Sequence, residues 1–194
     1  MFSSLMHPRN LLTAIVLIVG GITYGAVAVQ RNARSGAAEE RVQTKVRRGH
    51  APTIGPYRLD MNLGDASKLV ELTPAEKKAL NPAIEFKGER IYNAPPANFA
   101  STNWEIVLGA VESSVYKVSA LVVLDNRERR DTMWRNLNDL LRTPLGSPAS
   151  AEANIVLWDT EDGNVIMSRG DVGGAYAIVL TLTSNAASSF VRIK

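Results

Sequence analysis

Three patterns in this chain predict an α+β domain, an antiparallel-rich sheet with two short helices packed on one face, behind a single N-terminal transmembrane helix. Leu11–Val29 is a run of nineteen residues without a charge. Val115–Leu124 alternates with the period of a strand, and Met133, Leu137, Leu140 and Leu141 recur at the spacing of a helix. The resulting division is a tail over 1–10, a transmembrane helix over 11–29, a basic linker over 30–53 and the globular domain over 54–194.

At 1.5 Å per residue a helix over Leu11–Val29 spans about 28 Å, close to a bilayer core of about 30 Å. Leu11, Ile15, Leu17, Ile18, Val19 and Ile22 form its apolar body. Its Thr, Tyr and Gly residues are tolerated because helix backbone bonds close internally. Ala26-Val27-Ala28 also fits a small-x-small cleavage site, so a removed signal peptide is the rival reading. Against removal, only Arg9 precedes the apolar run, and Arg31 and Arg34 follow it at once. Orientation stays open. Residues 31–50 hold six Lys/Arg against one upstream, which by the positive-inside bias places the large C-terminal part in the cytoplasm. A short tail followed by an exported domain is, however, a common bacterial arrangement.

The linker carries Gly36, Gly49 and Pro52 and little apolar content beyond Val42 and Val46. Residues 1–50 hold seven Lys/Arg against two acids, and residues 51–194 hold fifteen against seventeen. The basic charge therefore belongs to the membrane flank, where it suits anionic headgroups. The domain lacks the basic excess of a nucleic-acid binder, and no nucleic-acid partner is expected. At 45% apolar and 21% charged residues the composition is globular. The chain has no Cys, which removes disulfides, thiolate metal sites and catalytic thiols. His7 and His50 both precede the predicted domain, leaving it no imidazole for a Ser-His-Asp triad or a zinc site.

Within the domain, Ile54-Gly55-Pro56 is a turn before the alternating Tyr57–Met61. Thr73-Pro74-Ala75-Glu76 is a capping box, with Thr as N-cap, Pro at the first helical position and Glu two residues further in. Asn81-Pro82 must end that helix, and Asp65 offers a cap for an earlier turn, giving one short helix or two helical turns over 65–80. Ala83–Phe86 and Glu89–Tyr92 read as a hairpin around Lys87-Gly88, and Asn93–Thr102 as a loop. Trp104–Val111 and Val115–Leu124 are strands, with Tyr116, Val118, Ala120, Val122 and Leu124 on one face. The leucine stripe marks the second helix, capped by Asn126 or Asp131 and ended by Pro144 and Gly146. Asn154–Trp158 and Asn164–Ser168 form a hairpin, Tyr176–Thr183 a strand, and Ser189–Ile193 an edge strand. That order implies helices on one face of an antiparallel-rich sheet.

The turn and strand Gly55-Pro56-Tyr57-Arg58-Leu59-Asp60-Met61, the leucine-striped helix ending in Pro144-Leu145-Gly146-Ser147-Pro148 and the Trp-containing hairpin resemble small bacterial envelope domains of uncharacterised families, carried behind a signal peptide or single anchor. The resemblance covers residues 54–184 and brings no catalytic residues. The small lipoprotein of the outer-membrane barrel-assembly machinery is similar in architecture at a greater distance; this chain lacks its lipid-bearing Cys. The resemblance favours an exported domain.

Residue chemistry adds little that points to an enzyme. Asp159-Thr160-Glu161-Asp162-Gly163-Asn164 offers oxygen ligands but lacks EF-hand spacing and reads as a hairpin turn. Arg169-Gly170-Asp171 spells an integrin triplet within a glycine-rich strand connection. Glu85, Glu89, Glu105, Asp125 and Asp159 offer no spacing that fixes a catalytic carboxylate pair. Arg130, Trp134 and Arg135 are the candidate partner contact, because Trp134 lies one position off the helical stripe and an exposed Trp among arginines anchors interfaces. The expectation is a non-catalytic, membrane-tethered accessory or interaction protein of the bacterial cell envelope, without cofactor or metal, that binds another envelope protein. The alternative is a small-ligand or sensory domain with a pocket between helices and sheet.

Overall fold

The computed structural model describes residues 49–80, 84–86, 88–172, 175–186 and 191–193. The predicted tail, the transmembrane helix and the linker as far as residue 48 lie outside the described residues. Among the described residues no helix is long and apolar enough to cross a membrane.

The described residues form ten strands: β1 (Val70–Glu71), β2 (Ile84–Phe86), β3 (Glu89–Phe99), β4 (Thr102–Val111), β5 (Ser114–Leu124), β6 (Ser150–Ala151), β7 (Ile155–Asp159), β8 (Gly163–Val172), β9 (Ala175–Ser184) and β10 (Val191–Ile193). Eight of them form one sheet in the order β1-β3-β4-β5-β9-β8-β7-β6, and β10 pairs separately with β2. Every pairing is antiparallel. A short helix spans Pro74–Leu80 and a long one Arg127–Leu145.

The long helix lies across β5 and β9. Its Leu137, Leu141 and Leu145 are buried against Val118, Ala120, Ile178, Leu180 and Leu182 of the sheet. Beside it, the segment from Ile54 to Met61 covers the β3–β4 side of the same face, with Ile54, Tyr57, Leu59 and Met61 all in the core. That segment is pinned by backbone bonds, Asp60 N to Val115 O at 2.8 Å and Val115 N to Met61 O at 3.0 Å.

Several local expectations are corrected. The long helix has nineteen residues and is not short. The stretch 65–80 is not one helix: Asn62 caps a single 3₁₀ turn at Leu63–Asp65, and Val70 and Glu71 pair with Asn93 and Tyr92. The capping box forms as read, with Thr73 N donating to Glu76 Oε2 at 2.7 Å and Glu76 N to Thr73 Oγ1 at 3.4 Å. The expected hairpin around Lys87-Gly88 is absent, because β2 pairs with β10 and β3 with β4. The expected loop at 93–102 is strand as far as Phe99. Its Pro95-Pro96 sits where the register shifts between Ala94 and Ala97, on a stretch of β3 that β1 does not reach, which is where a strand tolerates residues without an N–H. In β5, Lys117 is opposite Gly109 and Val115 opposite Ala110. Tyr116 is thus a bulge residue and does not share the face of Val118 and Ala120.

At the sheet edge, Glu71 receives Arg90 Nη2 at 2.6 Å and Lys77 Nζ at 2.9 Å, tying the short helix and β3 to β1. The Arg90 hydrogen bond first, then that of Lys77, pulls the Glu71 carboxyl from 4.5 to about 2. A depressed carboxylate contributes stability above its unfolded value and loses it as pH falls through the folded one. This clamp therefore weakens between pH 4.5 and about 2. Carboxyl carbon NMR should give Glu71 a midpoint near the lower value, and Arg90→Ala should move it upward. A native midpoint near 4.5 would contradict the clamp.

Candidate functional site

The long helix does not cover the whole of its sheet face, and the uncovered part is an open groove of about 740 Å³. One wall is the helix, through Met133, Leu137 and Leu140; the other is Leu124 at the end of β5 with the β3–β4 turn at Ala100-Ser101-Thr102. Leu140 is 47% exposed, the largest exposed hydrophobe on the helix. Asn126, Glu128, Arg129, Thr132 and Asn136 make a polar rim.

Each wall has a local cause. Asn126 is the helix N-cap, its side chain accepting from Arg129 N at 2.9 Å, which fixes where the helix starts beside Leu124. Ala100 and Ser101 form the two-residue turn with φ of 51° and 60°. That is the shape of a type I′ turn, which matches sheet twist but favours Asn and Gly. Two side-chain-bearing residues held there store backbone strain of about 1–3 kcal/mol each, a feature that clusters at binding surfaces.

On the opposite flank, the helix is bound to β8 by an ionic network. Arg130, 7% exposed, pairs with Asp131 at 2.8 Å and with Asp171. Arg169 donates to Asp131 at 3.0 Å, to Asn154 Oδ1 at 3.2 Å and to Ala153 O at 2.9 Å. Arg130 stacks over Tyr176 at 5.5 Å and Arg169 over Trp134 at 5.0 Å. Hydrogen bonding from Arg130 holds the Asp131 carboxyl below its ordinary range against desolvation, and the charges of Arg169 and Arg127 add to the effect.

These positions revise the sequence-derived site. Trp134 is 6% exposed and Arg130 nearly as buried, so neither is the exposed anchor expected of it. The indole faces the sheet because Arg169 covers it from β8. Arg135 alone of the three is exposed, its guanidinium turned back to Asp131 O at 3.4 Å and Thr132 Oγ1 at 3.3 Å. The Arg169-Gly170-Asp171 triplet lies within β8 with both charges paired to the long helix, unlike a recognition loop. In the acidic turn, Asp162 Oδ1 accepts from Ala51 N at 2.8 Å and from the Thr160 hydroxyl at 2.9 Å, so its carboxylate ties the domain's entry segment to the β7–β8 hairpin. Among the described residues no three His, Cys, Asp or Glu side chains gather as a metal site. The space directly between long helix and sheet is filled by Leu137 and Leu141, each 1% exposed.

The groove was missed from sequence, although one signal pointed to it. Met133, Leu137, Leu140 and Leu141 form a stripe broader than the sheet strands beneath the helix can cover. The chain was compared with protein-family models, with curated proteins and with solved structures, and nothing matches it in any of the three.

Proposed function

We propose that this chain is a membrane-tethered accessory protein of the bacterial cell envelope, anchored by residues 11–29, whose α+β domain binds another envelope protein on the extracytoplasmic side. The observation that carries the reading is the groove. An aliphatic floor of Leu124, Met133, Leu137 and Leu140 lies open under a rim of amides, hydroxyls and the opposite charges of Glu128 and Arg129. Such a surface suits an aliphatic segment of a partner, with Leu140 as the contact that gains most from burial. Met133 adds adaptability, since a thioether side chain repacks readily. The uncharged run Leu11–Val29 and its basic flank support the tether. A small-ligand or sensory role would use the same groove.

The test is a photo-crosslinking residue at Leu140 of the full-length protein in cells, with Val70, 63% exposed on β1, as the control position. One recurrent membrane or envelope adduct is expected at Leu140 and not at Val70. Equal labelling at both positions sinks the docking role, and a recurrent cytoplasmic adduct sinks the export.

A further inference from the structure

The helical wall of the groove carries a pattern that selects its occupant. Six of its side chains fall into two adjacent rows along the long helix, Arg129-Met133-Leu137 and Thr132-Asn136-Leu140, each stepping by four residues. Rows at that step are the ridges between which one α-helix takes a ridge of another. The inner row is apolar beyond Arg129, and the outer one ends in the exposed Leu140. A helix seated between them turns one aliphatic stripe inward and keeps its polar side to solvent.

The sheet side of the groove gives an extended chain nothing to pair with. Leu124 and Thr102 belong to β5 and β4, each of which has a neighbouring strand on both sides. Strand addition needs an open sheet edge, and an extended segment without one buries amides that go unmet. A helix closes its own backbone bonds. Charge adds a further constraint. Where the long helix starts, Asp125 and Glu128 outnumber Arg129, which is paired with Asp125 at 2.8 Å. Arg127 is turned to Asp171 on the opposite flank. That end of the groove is complementary to a basic side chain.

With the groove as the docking surface, we propose that its occupant is an amphipathic α-helix of the partner, with a Lys or Arg beside Glu128. It is about three turns long, to match the eleven-residue step from Arg129 to Leu140.

The experiment puts the photo-crosslinking residue at Leu140 in one full-length variant and at Arg129 in another, in cells, and reads the attached partner residues by peptide mass spectrometry. The two positions lie about 16 Å apart along the helix axis. A packed helix spans that distance in about seven to eleven residues, depending on its crossing angle, and an extended chain in about five or fewer. Attachment sites at the helical spacing in one partner are expected, and a proline midway between them in the partner should abolish both adducts. Glu128→Lys should lower the Leu140 adduct about threefold, within the reach of one exposed ion pair. Sites at the extended spacing, or adducts that survive the proline, overturn the helix while leaving the docking role in place. An unchanged yield with Glu128→Lys overturns the basic contact. Absence of a recurrent adduct at both positions sinks the docking role and the helix with it.

Discussion

Trp158→Ala is expected to lower the free energy of unfolding by about 3–5 kcal/mol, the range for truncating a fully buried aromatic. Trp158 is 0% exposed and stands on β7 opposite Val165 of β8. Its indole Nε1 donates to Gly146 O at 3.3 Å, the residue that closes the long helix. The ring thus joins three things: the β7–β8 hairpin, the end of the helix and the core beneath Leu141 and Leu145. Truncation leaves a cavity that the surrounding ladder hydrogen bonds prevent from collapsing, and it leaves a helix-end carbonyl without its donor. Against a domain stability of about 5–15 kcal/mol, that loss removes a fifth or more. The check is a urea titration of the full-length protein: the midpoint should fall with an unchanged slope. Trp158→Phe, which keeps most of the apolar ring and loses the N–H, should cost about 1–3 kcal/mol. A change under about 1 kcal/mol for the alanine variant would show that the hairpin and helix are not joined here.

Elements whose cause is local were the legible ones. The strands β4, β5 and β9 alternate with period two, and the Thr73–Glu76 capping box and the Asn126 cap need only neighbours within one turn. The β7–β8 hairpin carries its own turn residues. Elements decided by distant chain were not legible. β2 pairs with β10, more than a hundred residues away, and nothing in Ile84–Phe86 encodes that partner. β3 runs through Pro95-Pro96 because its outer edge is unpaired there, a fact of sheet position rather than of those residues. The same division governs the site. Trp134 looked available for contact because its helix spacing places it off the stripe, yet Arg169 from β8 covers it. The groove is defined by where the long helix fails to reach across the sheet, which no window of sequence records. Its broad stripe of Met133, Leu137, Leu140 and Leu141 signalled surplus apolar surface without saying which side would stay open.

The ionic network beside Trp134 fits this picture. Arg130 is buried with a positive charge, and isolated burial of that charge would be costly. Two carboxylates and the Tyr176 ring compensate it, so the network's main effect is on register. It fixes the helix rotation about its axis, which turns Leu137 and Leu141 inward and leaves Leu140 over the groove.

Gly163→Ala is the other substitution with a large expected effect, and its cause is backbone contact rather than a cavity. A Cβ built on Gly163 would lie 2.0 Å from Thr183 O, 2.9 Å from Thr183 C and 3.0 Å from Ser184 Cα. These are main-chain atoms of β9, and they cannot give way locally. Thr183 is paired with Lys117 of β5 on one side and Asn164 of β8 on the other. Gly163 is equally fixed: its N–H donates to Thr160 Oγ1 at 3.1 Å and its carbonyl accepts from the same hydroxyl at 2.8 Å. An added methyl must therefore part β8 from β9 at the hairpin end and disturb the turn through which Asp162 holds Ala51. The loss should reach or pass the upper end of the overpacking range of about 1–3 kcal/mol. At about 2–4 °C per kcal/mol for a domain of this size, the melting temperature falls on the order of 10 °C. Gly170→Ala, on the same strand, is the control: its added Cβ meets nothing within 4 Å, so its melting point should stay within about 2 °C of wild type. Equal melting of the two variants would mean that β8 and β9 are not held as closely at Gly163 as the contacts require.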